Sequence, residues 1–181
     1  MKYQIFSTLL ACSLLSPSVV DAKLCERVGL YAEVLTFSEH LGDDFEPAGG
    51  YNEENPGLSL GGVCKNHFTH FDLNASAGAI VFKNSYDDTS TGITLGLNLS
   101  TPVYGQWDVF GGTNIAIVDG YEDLDDSVRI GDEIAILPAI AAGVSYNLTN
   151  NISLRGTANI VPSVGDADGV FLPTFGIQYL Y

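Results

Sequence analysis

One pattern recurs eight times along this chain. Stretches of roughly nine to fifteen residues alternate apolar and polar side chains, and each gives way to a polar connection. They cover 28–37, 57–65, 73–84, 90–100, 104–118, 133–147, 151–162 and 170–181. A period of two puts successive side chains on opposite faces of a strand. In the fourth stretch Ile93, Leu95, Leu97 and Leu99 oppose Thr94, Gly96, Asn98 and Ser100. In the last, Phe175, Ile177, Tyr179 and Tyr181 alternate up to the final residue, opposite Thr174, Gly176, Gln178 and Leu180. Beyond the first stretch of the chain no window has the spacing of an amphipathic helix, so the expected class is all-β.

The connections alternate too. Those at 38–56, 85–89, 119–132 and 163–169 fall on one side of a meander, and both long ones are among them. Those at 66–72, 101–103 and 148–150 fall on the other. Strands of this length with long loops at one end only predict an eight-stranded antiparallel up-and-down transmembrane β-barrel. It must close, because lipid tolerates no open sheet edge. A soluble barrel that binds a small ligand uses strands of the same length and is the competing architecture.

The charges within strands support the membrane reading. Of Glu33, Lys65, Lys83, Asp108, Glu133 and Arg155, four (Glu33, Lys65, Asp108 and Arg155) lie opposite the apolar series. They are expected to point inward, since a basic residue facing mid-bilayer lipid costs about 2–4 kcal/mol. Eight strands enclose little more than their own side chains. Glu33, Asn98, Asn114, Arg155, Asn159 and Gln178 are therefore expected to form a polar plug, which argues against a wide channel. Pro138 and Pro173 interrupt two stretches, because proline gives the ladder no donor.

Residues 1–22 read as a secretory signal peptide, leaving 23–181 as the barrel. Lys2 precedes an apolar run from Ile5 to Leu15, and Val20 and Ala22 suit a cleavage site. The run is too short to span a bilayer as a helix. Cys12 follows Leu9, Leu10 and Ala11 in the manner of a lipidation box, but more apolar residues come after it, and it reads as part of the discarded run. Export allows Cys25 and Cys64 to form a disulfide; two free thiols fit the sequence equally well.

Charge narrows the partners. With 22 acidic and 7 basic residues the net charge is −15, which disfavours nucleic acid. The acidic residues concentrate in the long connections, among them Glu39, Asp43, Asp44, Glu53, Asp123 and Asp126. No cofactor is expected; weak Ca²⁺ or Mg²⁺ binding at the acidic loops is the most these residue types suggest. His67, His70 and Asp72 form a second, weak metal candidate. The candidate catalytic set is His40, Ser85 and Glu53, with Glu54 as an alternative carboxylate. Here Ser85 serves as nucleophile, His40 as base and the Glu as orienting group, for ester hydrolysis on a lipid.

Taken together, the leader, the eight stretches and the terminal FGIQYLY resemble the small eight-stranded outer-membrane barrels of the OmpX-like and PagL-like class. YNEENPGLSLGG and FKNSY look like segments of small barrels likened to PagL. The resemblance implies an outer-membrane location, with periplasmic termini and extracellular acidic loops. It implies contact with outer-membrane lipid and lipopolysaccharide, and a C-terminus read by the barrel-assembly machinery. PagL-type deacylases carry a His-x-Ser that this chain lacks, so no catalytic residue is carried over. An acyl-exchange enzyme would want a hollow apolar interior, where this lumen reads as polar. The expected function is a non-enzymatic envelope or surface protein, with a lipid A acyl-ester hydrolase as the alternative.

Overall fold

The computed structural model describes residues 25–41, 53–84, 87–120, 129–130, 134–163 and 169–181; residues 1–22 lie outside them. The strands are β1 Arg27–Leu35, β2 Glu39–His40, β3 Gly57–His67, β4 Asp72–Lys83 and β5 Thr89–Tyr104, then β6 Trp107–Asp119, β7 Arg129–Ile130, β8 Ile134–Asn147, β9 Ile152–Val161 and β10 Val170–Leu180. Eight are long, as the alternation predicts. They pair in the order β1-β3-β4-β5-β6-β8-β9-β10, and β10 pairs back to β1. Every pairing is antiparallel, and the register Gly29↔Leu180 to Leu35↔Thr174 closes the wall. The fold is an up-and-down barrel with no free edge between its long strands.

Both ends follow from the connectivity. The β3–β4, β5–β6 and β8–β9 turns share an end with the first and last described residues; we call it the turn end. The other four connections share the loop end.

Local chemistry moves some boundaries. The expected turn at 101–103 is strand instead: β5 runs on to Tyr104, with a register shift between Pro102 and Tyr104. The turn falls at Gly105, whose φ of 58° is left-handed and suits glycine. Pro102 sits at the bulge, where a missing donor is tolerated. The first strand ends at Leu35 rather than residue 37. Thr36, Phe37 and Ser38 then bulge out before β2 rejoins β10, with His40 opposite Val170. Pro173 lies just past the end of the β1–β10 ladder, and Pro138 just past the start of the β8–β9 ladder. Each therefore lacks a donor only where no partner strand needs one.

The two faces separate as the period demands. Ile93, Leu95, Leu97, Leu99, Phe175, Ile177 and Tyr179 are exposed on the outside. Asn74, Asn98, Ser100, Ser145, Thr157 and Gln178 are buried inside. Large inward side chains fit because glycines face them across the wall. A Cβ on Gly61 would lie 2.7 Å from the Tyr31 ring, and one on Gly143 would lie 2.5 Å from the Phe110 ring.

The interior is not polar throughout, which corrects the expectation of a wholly polar plug. At the loop end Leu35, Phe82, Val118 and Ala135 form a buried apolar cluster, with Ile80, Ala116 and Leu137 against it. These residues share inward parity with the polar ones further down the same strands. Cys25 and Cys64 form a disulfide at the turn end, with an S–S distance of 2.04 Å, settling the choice between bridge and thiols.

Candidate functional site

Below the apolar cluster the lumen carries a hydrogen-bonded polar network. The Tyr31 hydroxyl on β1 and the Thr94 hydroxyl on β5 share a hydrogen bond at 3.1 Å across the lumen. Asn114 donates to Asn159 at 2.9 Å, and Asn74 to Ser100 at 3.0 Å. Arg155 donates to Gln178 at 2.7 Å while its guanidinium lies 4.3 Å from the Phe110 ring centroid. Register sets Arg155 in a row with Glu33 and Asp108, spaced by Gly176 on one side and Ser145 on the other. Of these two carboxylates it is Glu33, across Gly176, whose charge acts on the Arg155 cation and offsets part of the cost of holding it inside. Glu33, Asn98, Asn114, Arg155, Asn159 and Gln178 all occupy the inward face assigned to them.

At the turn end the mouth is charged. Lys65 and Asp72 form an ion pair at 2.6 Å, and His67 Nδ1 lies 2.7 Å from the same carboxylate. Asp72 is thereby engaged by a lysine, and the backbone carbonyl of His70 accepts from Thr101 at 3.1 Å. Among the described residues no group of three or more His, Cys, Asp or Glu is placed to hold a metal ion. A polar cleft opens here, lined by Lys65, Asn74, Asp108, Asn147, Arg155 and Gln178. Asn147 donates to Asp108 at 2.9 Å across it. Aromatic side chains ring this end outside: Trp107 lies 4.9 Å from Tyr146, Tyr179 lies 6.0 Å from Tyr181, and Phe68 stacks on Phe71 at 5.0 Å. Such amphipathic rings suit the boundary between hydrocarbon and water.

The loop end holds the candidate catalytic residues. His40, half-buried, is on β2 against β10. Glu53 is exposed, and its backbone carbonyl accepts from the Ser38 amide at 2.9 Å. Ser85 lies outside the described residues, as do Asp43, Asp44, Asp123 and Asp126. His40 and Glu53 thus reach the same end on different segments.

A buried polar layer lies at this rim, where the sequence leads one to expect Asn84 to cap the strand; its members Ser38 and Ser90 are not singled out by the sequence. Ser38, Asn55, Asn84 and Ser90 are each almost wholly buried. The Ser38 hydroxyl bonds Asn55, which donates to the Lys83 carbonyl at 2.9 Å. Asn84 donates to the Gly120 carbonyl at 2.7 Å and to Ser90 at 3.2 Å. These amides satisfy backbone groups where strands give way to loops, a need that rises with burial.

No family model matches the chain, nor does any curated protein. Solved structures do. Ail, the attachment invasion locus protein of Yersinia pestis, superposes with a TM-score of 0.52 at 12% identity, covering 86% of this chain and 98% of that one. Neisserial surface protein A gives 0.50 at 15%, covering 86% and 96%. A de novo designed transmembrane β-barrel gives 0.50 at 11%, covering 87% and 97%. The fold is that of the small transmembrane barrels. At these identities the likeness extends to the fold alone, and the designed barrel makes the point: it shares the architecture through strand physics and not descent.

Among the described residues, the lumen is lined by hydrogen-bonded polar groups toward the turn end and by packed apolar side chains toward the loop end.

Proposed function

We propose that this protein is an integral outer-membrane barrel that serves the envelope or its surface without catalysis. The carrying observation is the apolar outer face, with Leu30, Leu60, Leu97, Ile140, Leu154 and Ile177 all exposed around the wall, while polar and charged groups turn inward. In water so large an apolar surface drives association; in a bilayer it is solvated by lipid. Residues 1–22 direct export and are removed, and the terminal aromatic alternation is read by the barrel-assembly machinery. The termini then lie in the periplasm and the acidic loops outside, in contact with lipopolysaccharide and its divalent ions. Glu39, Glu53, Glu54, Asp87, Asp88 and Asp119, all at the loop end, support that polarity. Carriage of this fold by proteins named for attachment and for the surface is in keeping with display of the loops.

Fractionation with surface proteolysis tests the proposal. The expected result is recovery only in the detergent-soluble outer-membrane fraction, a mobility shift on heating, and cleavage in the long loops of intact cells. Release by alkaline wash without detergent would overturn the location. A changed acyl count in lipid A on expression, lost with His40→Ala, would overturn the non-enzymatic role.

A further inference from the structure

The Cys25–Cys64 bridge lies on the outer face of the wall and not in the lumen. Along β3, Ser59 and Val63 are buried inside and Lys65 lines the inner cleft, whereas Leu58 and Leu60 are exposed outside. The period of two puts Cys64 on the same face as Leu58 and Leu60. Asn66, two residues on, shares that face, and its amide nitrogen lies 3.9 Å from the Cys64 sulfur. Cys25 is bonded to this sulfur, so the segment leading into β1 crosses outside β3. On β1 it is Val28 that stands opposite Cys64; Cys25 lies before the first pair of the ladder, Arg27↔Lys65. Two hydrogen bonds fasten the crossing. The Glu26 amide donates to the Asn66 side chain at 3.1 Å, and the Glu26 carboxylate accepts from the His67 amide at 2.9 Å.

Height along the wall decides what covers the bridge. Cys64 is three residues from the end of β3, a rise of about 8 Å at ordinary strand tilt. Phe68 and Phe71, stacked in the β3–β4 turn, lie further toward the water. Its outer-face neighbours across the ladders are Val28 and Ala75, both apolar. In a bilayer the sulfurs are therefore covered by lipid, on the inner side of the aromatic ring. Exchange at a disulfide needs a thiolate that attacks a sulfur directly, and a charged sulfur is costly in an apolar medium. A protein catalyst would also have to carry its own cysteine past the headgroups.

We infer that Cys25 and Cys64 are the substrate of a dithiol–disulfide exchange that acts on the exported chain before the wall enters the bilayer. The co-reactant is the disulfide of a soluble protein oxidant. One chain thiolate attacks that disulfide; a mixed disulfide forms and one oxidant thiolate leaves. The second chain thiolate attacks the chain-side sulfur of the mixed disulfide. The Cys25–Cys64 bond forms, and the other oxidant thiolate leaves. Two electrons pass to the oxidant, and the two thiol protons end on its dithiol. Insertion then closes the reaction in both directions, because lipid shields the bridge from reductants as it would shield the thiols from oxidants. The inference rests on the membrane location proposed above.

The order of events in cells tests it. The full chain is pulse-labelled in cells that have an outer membrane, and folded chains are separated from unfolded ones by electrophoresis without heating. Each band is then denatured and its thiols are counted with a maleimide polymer. The expected result is a folded band that carries the bridge from its first appearance, with free thiols in the unfolded band alone. A folded, reduced band that comes first and converts into the oxidised one overturns the inference. A second measurement uses the purified native barrel in bilayer discs open on both faces. A charged, membrane-impermeant phosphine is expected to reduce the bridge roughly tenfold or more slowly in discs than in the same chain unfolded in urea. Gln106→Cys, capped with glutathione at the exposed β5–β6 turn, shows that the phosphine reaches this end. Equal rates in discs and urea, with that cap removed promptly, overturn the inference. Release of the folded band by alkaline wash without detergent is a distinct result, and it overturns the membrane reading beneath.

Discussion

Leu97→Arg is the substitution that best separates a lipid-facing wall from a water-facing one. Leu97 lies midway along β5, points outward and has 52% of its surface exposed. Its register neighbours are Ala75 and Thr113, neither of them charged. In water an exposed Leu→Arg change of this kind falls within about 0.5 kcal/mol of neutral. Near the bilayer midplane an arginine on the lipid face costs about 2–4 kcal/mol. That corresponds to a folding equilibrium lowered by roughly thirty- to several-hundred-fold. Tyr104→Arg is the internal control: Tyr104 is at the turn end and 84% exposed, where the same guanidinium costs about 0–1 kcal/mol. Urea-dependent folding into short-chain vesicles measures both, with the single tryptophan, Trp107, as fluorescent reporter. A Leu97→Arg variant within about 0.5 kcal/mol of the native protein would refute the claim that this face meets hydrocarbon.

Further expectations concern the interior and the bridge. Tyr31→Phe removes the hydrogen bond to Thr94 and should lower unfolding free energy by about 1 kcal/mol in the same titration. Gly78→Ala sets a methyl group against the Tyr31 hydroxyl and 2.6 Å from the Leu60 carbonyl oxygen, so a loss of about 1–3 kcal/mol is expected. Arg155→Met leaves Glu33 without the neighbouring cation and should cost about 3–5 kcal/mol, with part regained in Arg155→Met/Glu33→Gln. Reduction of Cys25–Cys64, separated by 39 residues, should cost about 4 kcal/mol from chain entropy, read as a lower urea midpoint with dithiothreitol.

The strands were legible because lipid outside and a narrow lumen inside each impose one rule on alternate residues. Ile93 to Ser100 shows that rule without exception, and its faces are as expected. The turn at Gly105 was misplaced because Pro102 reads as a breaker, while a bulge in a barrel wall can absorb it. The apolar cluster left a signal that alternation obscured. Val81-Phe82, Ile117-Val118 and 134–137 are runs with both faces apolar, and all three lie at the loop end of their strands. Ser38 and Asn55 meet only because β1 leaves the ladder where β3 enters it, a cross-strand fact that linear spacing cannot carry. The same limit applied to His40, Glu53 and Ser85. The two interior zones have a consequence for stability. Polar groups along the lower lumen are hydrogen-bonded to one another, and Leu35, Phe82, Val118 and Ala135 pack together at the loop end. A buried polar group that loses its partner costs more than an exposed one, and a truncated apolar side chain leaves a void. Substitutions on the inward face are therefore expected to read out as lost stability, whereas those on the outer face report the surrounding medium.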